Sequence, residues 1–196
     1  KPVDRKCPQC GELLLEKQVE TVLYDGNKDF NIEQLYEKEP KLKGVPVLLG
    51  ELSDEQLREF DIAVSSAGVP RDLPVVDRMR AMNVAISGEI ELAYSFAKGK
   101  LAAITGTNGK TTTTALTGEI MKSYFEDVRV VGNIGIPYTN EAATMTEDTV
   151  TVAEISSFQL ETIHDFHPNV SAILNITPDH LNRHHTMDCY IKTKEN

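Results

Sequence analysis

The sequence predicts an α/β protein made of two successive parallel-sheet domains. Short apolar runs alternate with segments of helical periodicity from residue 20 onward, which is the pattern of strands joined by crossover helices. A glycine-rich turn at residues 106–109 separates a strand-like run from a helix-like run. Lys98-Gly-Lys100 interrupts the alternation, so we place the domain boundary near residues 97–100.

Strand and helix signals alternate regularly in the first half of the chain. Turn residues such as Asp25-Gly26 end the strands, and Ser53-Asp-Glu-Gln56 fits a capping box at a helix start. The predicted strands are residues 21–24, 45–49, 61–65 and 84–86, and the predicted helices are residues 32–36, 53–60, 73–82 and 88–96. Helices between successive strands imply parallel pairing.

The second half continues the alternation around the glycine-rich turn. The predicted strands are residues 101–105, 128–131, 149–155 and 170–176, and the predicted helices are residues 111–124, 157–163 and 186 onward. In open parallel sheets, ligands bind at the carboxyl ends of the strands. Polar residues that directly follow these strands are therefore candidates for a site.

Composition narrows the range of partners. The 196 residues carry a net charge of −10, which argues against a general binder of nucleic acids or membrane surfaces, because both are anionic. No apolar run approaches the roughly 20 residues that span a bilayer, and the polar start shows no signal peptide. Three cysteines cannot build a disulfide framework, so we expect a cytoplasmic protein. We also expect a monomer.

Residues 1–19 are an atypical start. Cys7-Pro-Gln-Cys10-Gly has the spacing of half a structural zinc site. Such a site needs four ligands, and Cys189 is the remaining cysteine, although histidines could contribute. The alternative is a chance or reactive cysteine pair in a loosely ordered segment.

The segment Thr105-Gly-Thr-Asn-Gly-Lys-Thr-Thr112 predicts a phosphate-binding loop. Its glycines let the backbone turn sharply with N–H groups pointing inward, and the following helix adds a positive dipole end. Lys110 is placed to neutralise the β and γ phosphates, and the Thr111 hydroxyl to bind Mg²⁺. The common pattern has glycine where Ile104 stands, so this is a shortened variant. The predicted ATP-binding residues are Gly106, Thr107, Asn108, Gly109, Lys110, Thr111 and Thr112.

Carboxylate and imidazole side chains follow two later strands. Glu154 ends the strand at 149–155, where it could complete a Mg²⁺ shell or act as a capping or salt-bridged residue. His180 follows the strand at 170–176 beside Asp179, as a metal ligand or as a hydrogen-bonded loop residue. His184 and His185 are interpreted as solvated or structural.

Four motifs in order resemble those of the Mur ligases. They are Thr105–Thr112, Gly132-Asn-Ile-Gly-Ile-Pro137, Glu154-Ile-Ser-Ser-Phe-Gln-Leu-Glu161 and Asn175-Ile-Thr-Pro-Asp-His-Leu-Asn-Arg-His184. Upstream, Ser65–Pro70 and Gly88–Tyr94 resemble the N-terminal domain of the same family. The third motif is the most discriminating, and it resembles the members that add D-glutamate.

This resemblance implies an ATP-dependent ligase of peptidoglycan synthesis. UDP-N-acetylmuramoyl-L-alanine would be phosphorylated on its carboxylate, and D-glutamate would attack the acyl phosphate. The resemblance implies catalytic roles for Lys110, His180 and Lys194. It places a first Mg²⁺ on Thr111 and Glu154, and a second on His180 and a carbamylated Lys194, one helical turn after Tyr190. The implied substrate-binding residues are Ser66, Gly68, Asn133 and Ser156.

The resemblance also indicates what is incomplete. It implies a Rossmann-like, UDP-substrate-binding domain over residues 20–97 and the first part of a P-loop ATPase-type domain over residues 98–196. The glycine-rich turn expected before Glu12 is replaced by Val3–Gly11, so the first domain is expected to lack a central strand. We therefore expect these 196 residues to be inactive alone.

Two alternatives stay open. A ligase resembling folylpolyglutamate synthase would share the shortened loop, although the Ser156-Ser-Phe-Gln-Leu160 string argues against it. A truncated module that binds a nucleotide without catalysis would also contain the loop. Phosphate release from ATP in the presence of UDP-N-acetylmuramoyl-L-alanine and D-glutamate would distinguish the Mur-type ligase from these two alternatives.

Overall fold

A computed structural model describes residues 8–133 and 135–196. They form two compact units that divide between Glu89 and Ile90. Cys7 lies outside the described residues, so zinc binding by the Cys7–Cys10 pair stays a prediction. No helix in the described ranges is both long enough and apolar enough to cross a bilayer.

The first unit contains two separate pairs of parallel strands, β1–β2 and β3–β4. Its elements are α1 (Pro8–Glu16), β1 (Leu23–Asp25), α2 (Ile32–Lys38), a 3₁₀ turn (Pro40–Leu42), β2 (Val47–Leu49), α3 (Asp54–Leu57), β3 (Ile62–Ser65), α4 (Pro74–Ala81) and β4 (Ala85–Gly88). One apolar cluster centres on Leu52, Leu57, Met79 and Val84. The helix α1 falls in the segment treated as an atypical start.

The capping box at Ser53 is confirmed, but its helix is shorter than predicted. The Ser53 hydroxyl accepts from the Gln56 N–H at 3.3 Å, and the Gln56 side chain accepts from the Ser53 N–H at 2.8 Å. The helix ends at Leu57 instead of Phe60. The N–H groups of Glu59 and Phe60 bond three residues back, and this tighter turn ends the α-helix.

The second unit begins earlier than the boundary at 97–100, because α5 (Glu89–Phe96) bonds to residues far along the chain. The Glu91 carboxylate accepts from the backbone N–H groups of His164, Asp165 and Phe166 at 2.8–3.1 Å. The Tyr94 hydroxyl donates to the His167 carbonyl at 3.1 Å. These bonds group α5 with the unit that follows it.

One four-stranded parallel sheet, in the order β6–β7–β5–β8, forms the second unit. Its remaining elements are β5 (Lys100–Thr105), α6 (Lys110–Lys122), β6 (Val128–Gly132), α7 (Tyr138–Ala142), β7 (Val150–Glu154), α8 (Ser157–Leu160), β8 (Val170–Ile173), α9 (Leu181–His184) and α10 (Met187–Glu195). Every residue of β7 is buried. The α/β class with parallel sheets is confirmed, while the short helices α7 and α9 were not predicted.

The sheet brings the carboxyl ends of its strands to one edge. Ile104 of β5 and Gly132 of β6 both lie beside Glu154 of β7, and Thr105 lies beside Ile173 of β8. The residues that follow these strand ends are therefore neighbours. The candidate site is built on this edge.

Gly99 should be intolerant of any side chain. It has φ +86°, and a Cβ there would lie 2.1 Å from the Thr149 carbonyl oxygen. Gly99→Ala should lower the free energy of unfolding by about 3 kcal/mol, since it combines backbone strain with a clash against backbone. Urea unfolding measures this change. Gly135→Ala is the control: φ is +65° and a Cβ there would meet no atom of the described residues within 4 Å beyond its chain neighbours, so only about 1 kcal/mol of strain is expected. Equal losses would contradict the assigned clash.

Candidate active site

The predicted phosphate loop connects β5 to α6 at the carboxyl edge of the sheet. Gly106 and Gly109 have φ values of +152° and +83°. Gly109 is the N-cap of α6 and supplies no side-chain cap. Because the first N–H groups of a helix have no acceptor within the helix, this end of α6 can bind an anion.

Two lysine ammonium groups converge on the carbonyl of Gly106. Lys110 Nζ donates to the carbonyl oxygens of Gly106 and Thr107 at 2.9 and 3.0 Å. Lys194 Nζ donates to the Gly106 carbonyl and to Thr105 Oγ1, both at 3.1 Å. Burial, and secondly the charge of Lys110, lower the pKa of Lys194 to about 8. Roughly a tenth of this buried amine is therefore neutral at pH 7, far more than for an ordinary lysine.

Glu154 is a buried carboxylate between the loop and the turn after β6. Its side chain accepts from Thr111 Oγ1 and from Asn133 Nδ2, each at 2.8 Å, and the residue is 2% exposed. The Asn133 N–H also donates to the Glu154 carbonyl at 2.8 Å. This close approach needs Gly132, where a Cβ would lie 2.2 Å from the Glu154 carbonyl oxygen. Among the described residues, Glu154 has no salt bridge.

The Thr111–Glu154 pair fits the chemistry of Mg²⁺. Adjacent ligand oxygens in an octahedral shell with bonds of 2.0–2.1 Å lie about 2.9 Å apart. The hydroxyl and carboxylate oxygens of the pair are 2.8 Å apart. Across residues 8–133 and 135–196, no group of three or more His, Cys, Asp or Glu side chains could hold a metal. Phosphate oxygens and water would supply the other ligands, as is usual for Mg²⁺.

His180 lies beyond the loop, at the N-cap of α9, with φ +51°. Its Nε2 is 3.4 Å from Asp179 Oδ2, and its ring centroid is 4.8 Å from that of Phe158. The side chain is 49% exposed and so accessible to a ligand. Within the described contacts it is not bonded to Glu154 or to Lys194.

The four predicted substrate-binding residues have different surroundings. Asn133 is joined to Glu154. The hydroxyl of Ser156 accepts from the Gln159 N–H at 3.3 Å and forms the capping box of α8. Ser66 and Gly68 belong to the first unit, in a turn after β3 where the Val69 N–H bonds to the Ser66 carbonyl at 3.0 Å. Their roles in binding stay predictions.

Several supporting residues were missed as site residues in the sequence analysis. Asn175, quoted there only within a motif, bonds to the phosphate loop at both its backbone and its side chain. The Tyr190 hydroxyl is 3.0 Å from Thr107 Oγ1. His184 is 2% exposed, and its Nε2 is 2.9 Å from Ser157 Oγ, so its role is structural and it is not solvated. The spacing of Ser156 and Gln159 signals the capping box of α8 but none of these contacts.

Comparison with known proteins identifies the family. Residues 104–196 match the Mur ligase middle domain. Over 185 residues, 94% of the chain, it is 57% identical to a UDP-N-acetylmuramoylalanine–D-glutamate ligase of Lachnoclostridium phytofermentans. The chain belongs to the Mur ligase family. The Clostridioides difficile enzyme of the same name is 44% identical over 184 residues, 93% of the chain.

The chain spans about two fifths of the length of these two Mur ligases, 41% of each. A crystal structure of UDP-N-acetylmuramate:L-alanyl-gamma-D-glutamyl-meso-diaminopimelate ligase from Neisseria meningitides aligns with a TM-score of 0.55. The alignment covers 95% of this chain and 62% of that protein, and the two sequences are 15% identical over it. At this identity the likeness supports the fold alone, which agrees with the parallel sheets described above.

His184 should make folding sensitive to mild acid. Burial lowers its pKa below the ordinary value of 6.5. The unfolded chain therefore binds the proton more readily, and stability is lost as the pH falls below about 6.5 toward the folded-state pKa. Urea unfolding at pH 7.5 and pH 5.5 should show a smaller loss for His184→Gln than for the unmodified chain. His185→Asn is the control, since His185 is exposed and Asn tolerates its φ of +64°. An identical acid response in all three chains would refute the assignment.

Proposed function

We propose that this chain is part of an ATP-dependent ligase that joins D-glutamate to UDP-N-acetylmuramoyl-L-alanine, a step of peptidoglycan synthesis. The observation that carries the proposal is the phosphate loop, with Thr111 bonded to the buried Glu154, in a chain 57% identical to a D-glutamate ligase. The proposal includes a cytoplasmic, monomeric protein whose other partners are ATP and Mg²⁺. It assigns the phosphates to the loop from Gly106 to Thr112.

The loop residues suit phosphoryl transfer to a carboxylate. Lys110 and the N–H groups at the start of α6 would bind the phosphates and offset charge on the transferring group. The substrate carboxylate would become an acyl phosphate, which the amine of D-glutamate attacks. The tetrahedral adduct then collapses to an amide and inorganic phosphate. ADP leaves separately, so each cycle consumes one ATP.

Magnesium would be held at two places. Thr111 and Glu154 would bind the first ion, and His180 with a carbamylated Lys194 the second. When bound, the ions neutralise phosphate charge and polarise the reacting oxygens. Asn133 would orient Glu154 while contacting the muramoyl substrate, as Ser66, Gly68 and Ser156 also would.

Carbamylation of Lys194 has a physical basis at this position. The residue is 4% exposed, and its lowered pKa increases the share of the neutral, nucleophilic amine over that of an ordinary lysine. Its nitrogen would attack CO₂ and lose a proton, giving an N-carboxylate. That product is an oxygen ligand suited to Mg²⁺.

Lys194 should therefore carry a ¹³C-labelled carbamate in ¹³C-bicarbonate with Mg²⁺ present. Carbon NMR should show one carbamate carbonyl signal in the unmodified chain. The signal should vanish in Lys194→Arg and persist in Lys192→Ala, because Lys192 is exposed on the same helix. A signal that survives Lys194→Arg would contradict this assignment.

Lys110→Ala should weaken ATP binding by about a hundredfold or more, because a charge-assisted contact to the phosphates is lost. Calorimetric titration of the 196-residue chain with ATP and Mg²⁺ measures this. Lys122→Ala is the matched control, since Lys122 lies at the far end of α6, paired with Glu119. Unchanged affinity in Lys110→Ala would remove the nucleotide assignment.

The reaction itself is tested by phosphate release. The 196-residue chain and the product of its complete reading frame are each supplied with UDP-N-acetylmuramoyl-L-alanine, ATP, Mg²⁺ and one amino acid. Release by the complete product with D-glutamate, and not with L-glutamate or L-lysine, is expected. ATP binding without release by either protein would favour a nucleotide-binding module. Release with a folate acceptor and L-glutamate would favour the folylpolyglutamate-synthase-like reaction.

A further inference from the structure

We infer that Asn175 is a positioning residue that holds the phosphate loop in its binding shape. The inference rests on the proposed nucleotide site and deepens it. Asn175 lies two residues beyond β8, the strand beside β5 at the edge of the sheet. It would act on the nucleotide only through the backbone of the loop.

The hydrogen-bond ladder between β5 and β8 continues past the ends of both strands. The Leu174 N–H donates to the Thr105 carbonyl at 3.0 Å, and the Thr107 N–H donates to the Asn175 carbonyl at 3.0 Å. At Asn108, the next loop residue, the side chain of Asn175 makes the hydrogen bonds that a strand backbone would otherwise make. Its Oδ1 accepts from the Asn108 N–H and its Nδ2 donates to the Asn108 carbonyl, both at 2.9 Å.

This arrangement determines which amides remain for a ligand. The N–H groups of Thr107 and Asn108 are both engaged by Asn175. Within residues 107–110, the N–H groups of Gly109 and Lys110 therefore remain for the phosphates, where α6 begins without a side-chain cap. Thr107 and Asn108, predicted to contact ATP, would contribute to the loop's shape through their backbones.

Close approach of the two segments supports this role. A Cβ at Gly106 would lie 3.1 Å from Leu174 Cβ, so the loop is pressed against the end of β8. A second connection runs through the Thr107 hydroxyl, which donates to the Thr177 carbonyl at 3.1 Å and accepts from the Thr177 N–H at 3.0 Å. Asn175 and Thr177 thereby join the loop to the segment that leads to His180.

Asn169 provides a matched control at the opposite end of β8. Its Oδ1 accepts from the Leu101 N–H at 2.8 Å, which is also a side-chain clamp between β8 and β5. Both asparagines are exposed. Each side chain joins the β8 segment to the β5 segment, Asn169 at Leu101 within β5 and Asn175 at Asn108 in the phosphate loop.

The first test measures ATP binding by the 196-residue chain in Mg²⁺, together with thermal unfolding. Asn175→Ala should raise the Kd for ATP by about tenfold. Without the Asn175 side chain, part of the free energy of binding would be spent on ordering the loop. Asn169→Ala should bind ATP with a Kd within about twofold of that of the unmodified chain, even if its Tm falls as much as the Tm of Asn175→Ala. Equal binding by Asn175→Ala and the unmodified chain, or equal weakening in both variants, would overturn the inference. Failure of the unmodified chain to bind ATP would overturn the nucleotide site and the inference with it.

A second test needs no substitution. Amide exchange followed by NMR, without nucleotide, should show at least about tenfold slower exchange at the N–H groups of Thr107 and Asn108 than at those of Gly109 and Lys110. ATP with Mg²⁺ should then slow exchange at the latter pair. Fast exchange at Asn108 before ATP is added would overturn the clamp, even if ATP binds.

Discussion

The buried charge of Glu154 is the constraint on which the site depends. Among the described residues, this carboxylate is bonded only to a hydroxyl and an amide, and at 2% exposure its charge is incompletely compensated. The nearby ammonium groups of Lys110 and Lys194 are directed at the Gly106 carbonyl. A cation at the Thr111–Glu154 pair would supply the missing compensation. Glu154 also fixes the turn after β6, because its carboxylate accepts from Asn133 and a side chain at Gly132 would collide with its backbone carbonyl.

Strand order explains how this carboxylate meets residues distant in sequence. β5 lies between β7 and β8, so the loop that follows it is flanked on one side by Glu154 and on the other by Asn175. The loop is thus held by groups about forty and seventy positions further along the chain. Each contact depends on parallel pairing, because an antiparallel neighbour would place its carboxyl end at the opposite edge of the sheet.

The sequence predicted the parts of this site that are local. The glycines, Lys110 and Thr111 occupy one strand–turn–helix, and Glu154 was expected at a strand end because parallel strands share an edge. Asn175 was not assigned a role, since its partner depends on β8 lying beside β5 and the chain order does not reveal that. The hydroxyl of Ser156 was assigned to substrate from resemblance, although its spacing from Gln159 also fits a capping box. Helix α9 was missed because its four residues are too few to show a period.

Charge balance links the proposed carbamate to the metal. With Lys194 as a cation, two ammonium groups share one carbonyl and repel each other. Burial first, and this repulsion second, lower the pKa of Lys194. Carbamylation would remove that repulsion but would add a negative charge at the phosphate loop, which would also hold the phosphates and which bonds to Glu154 through Thr111. Within a partly buried site such a cluster of anions is strongly unfavourable unless cations lie between them. The carbamate and the second Mg²⁺ should therefore stabilise each other. In the proposal, His180, which is exposed beside Asp179, would be a further ligand of that ion.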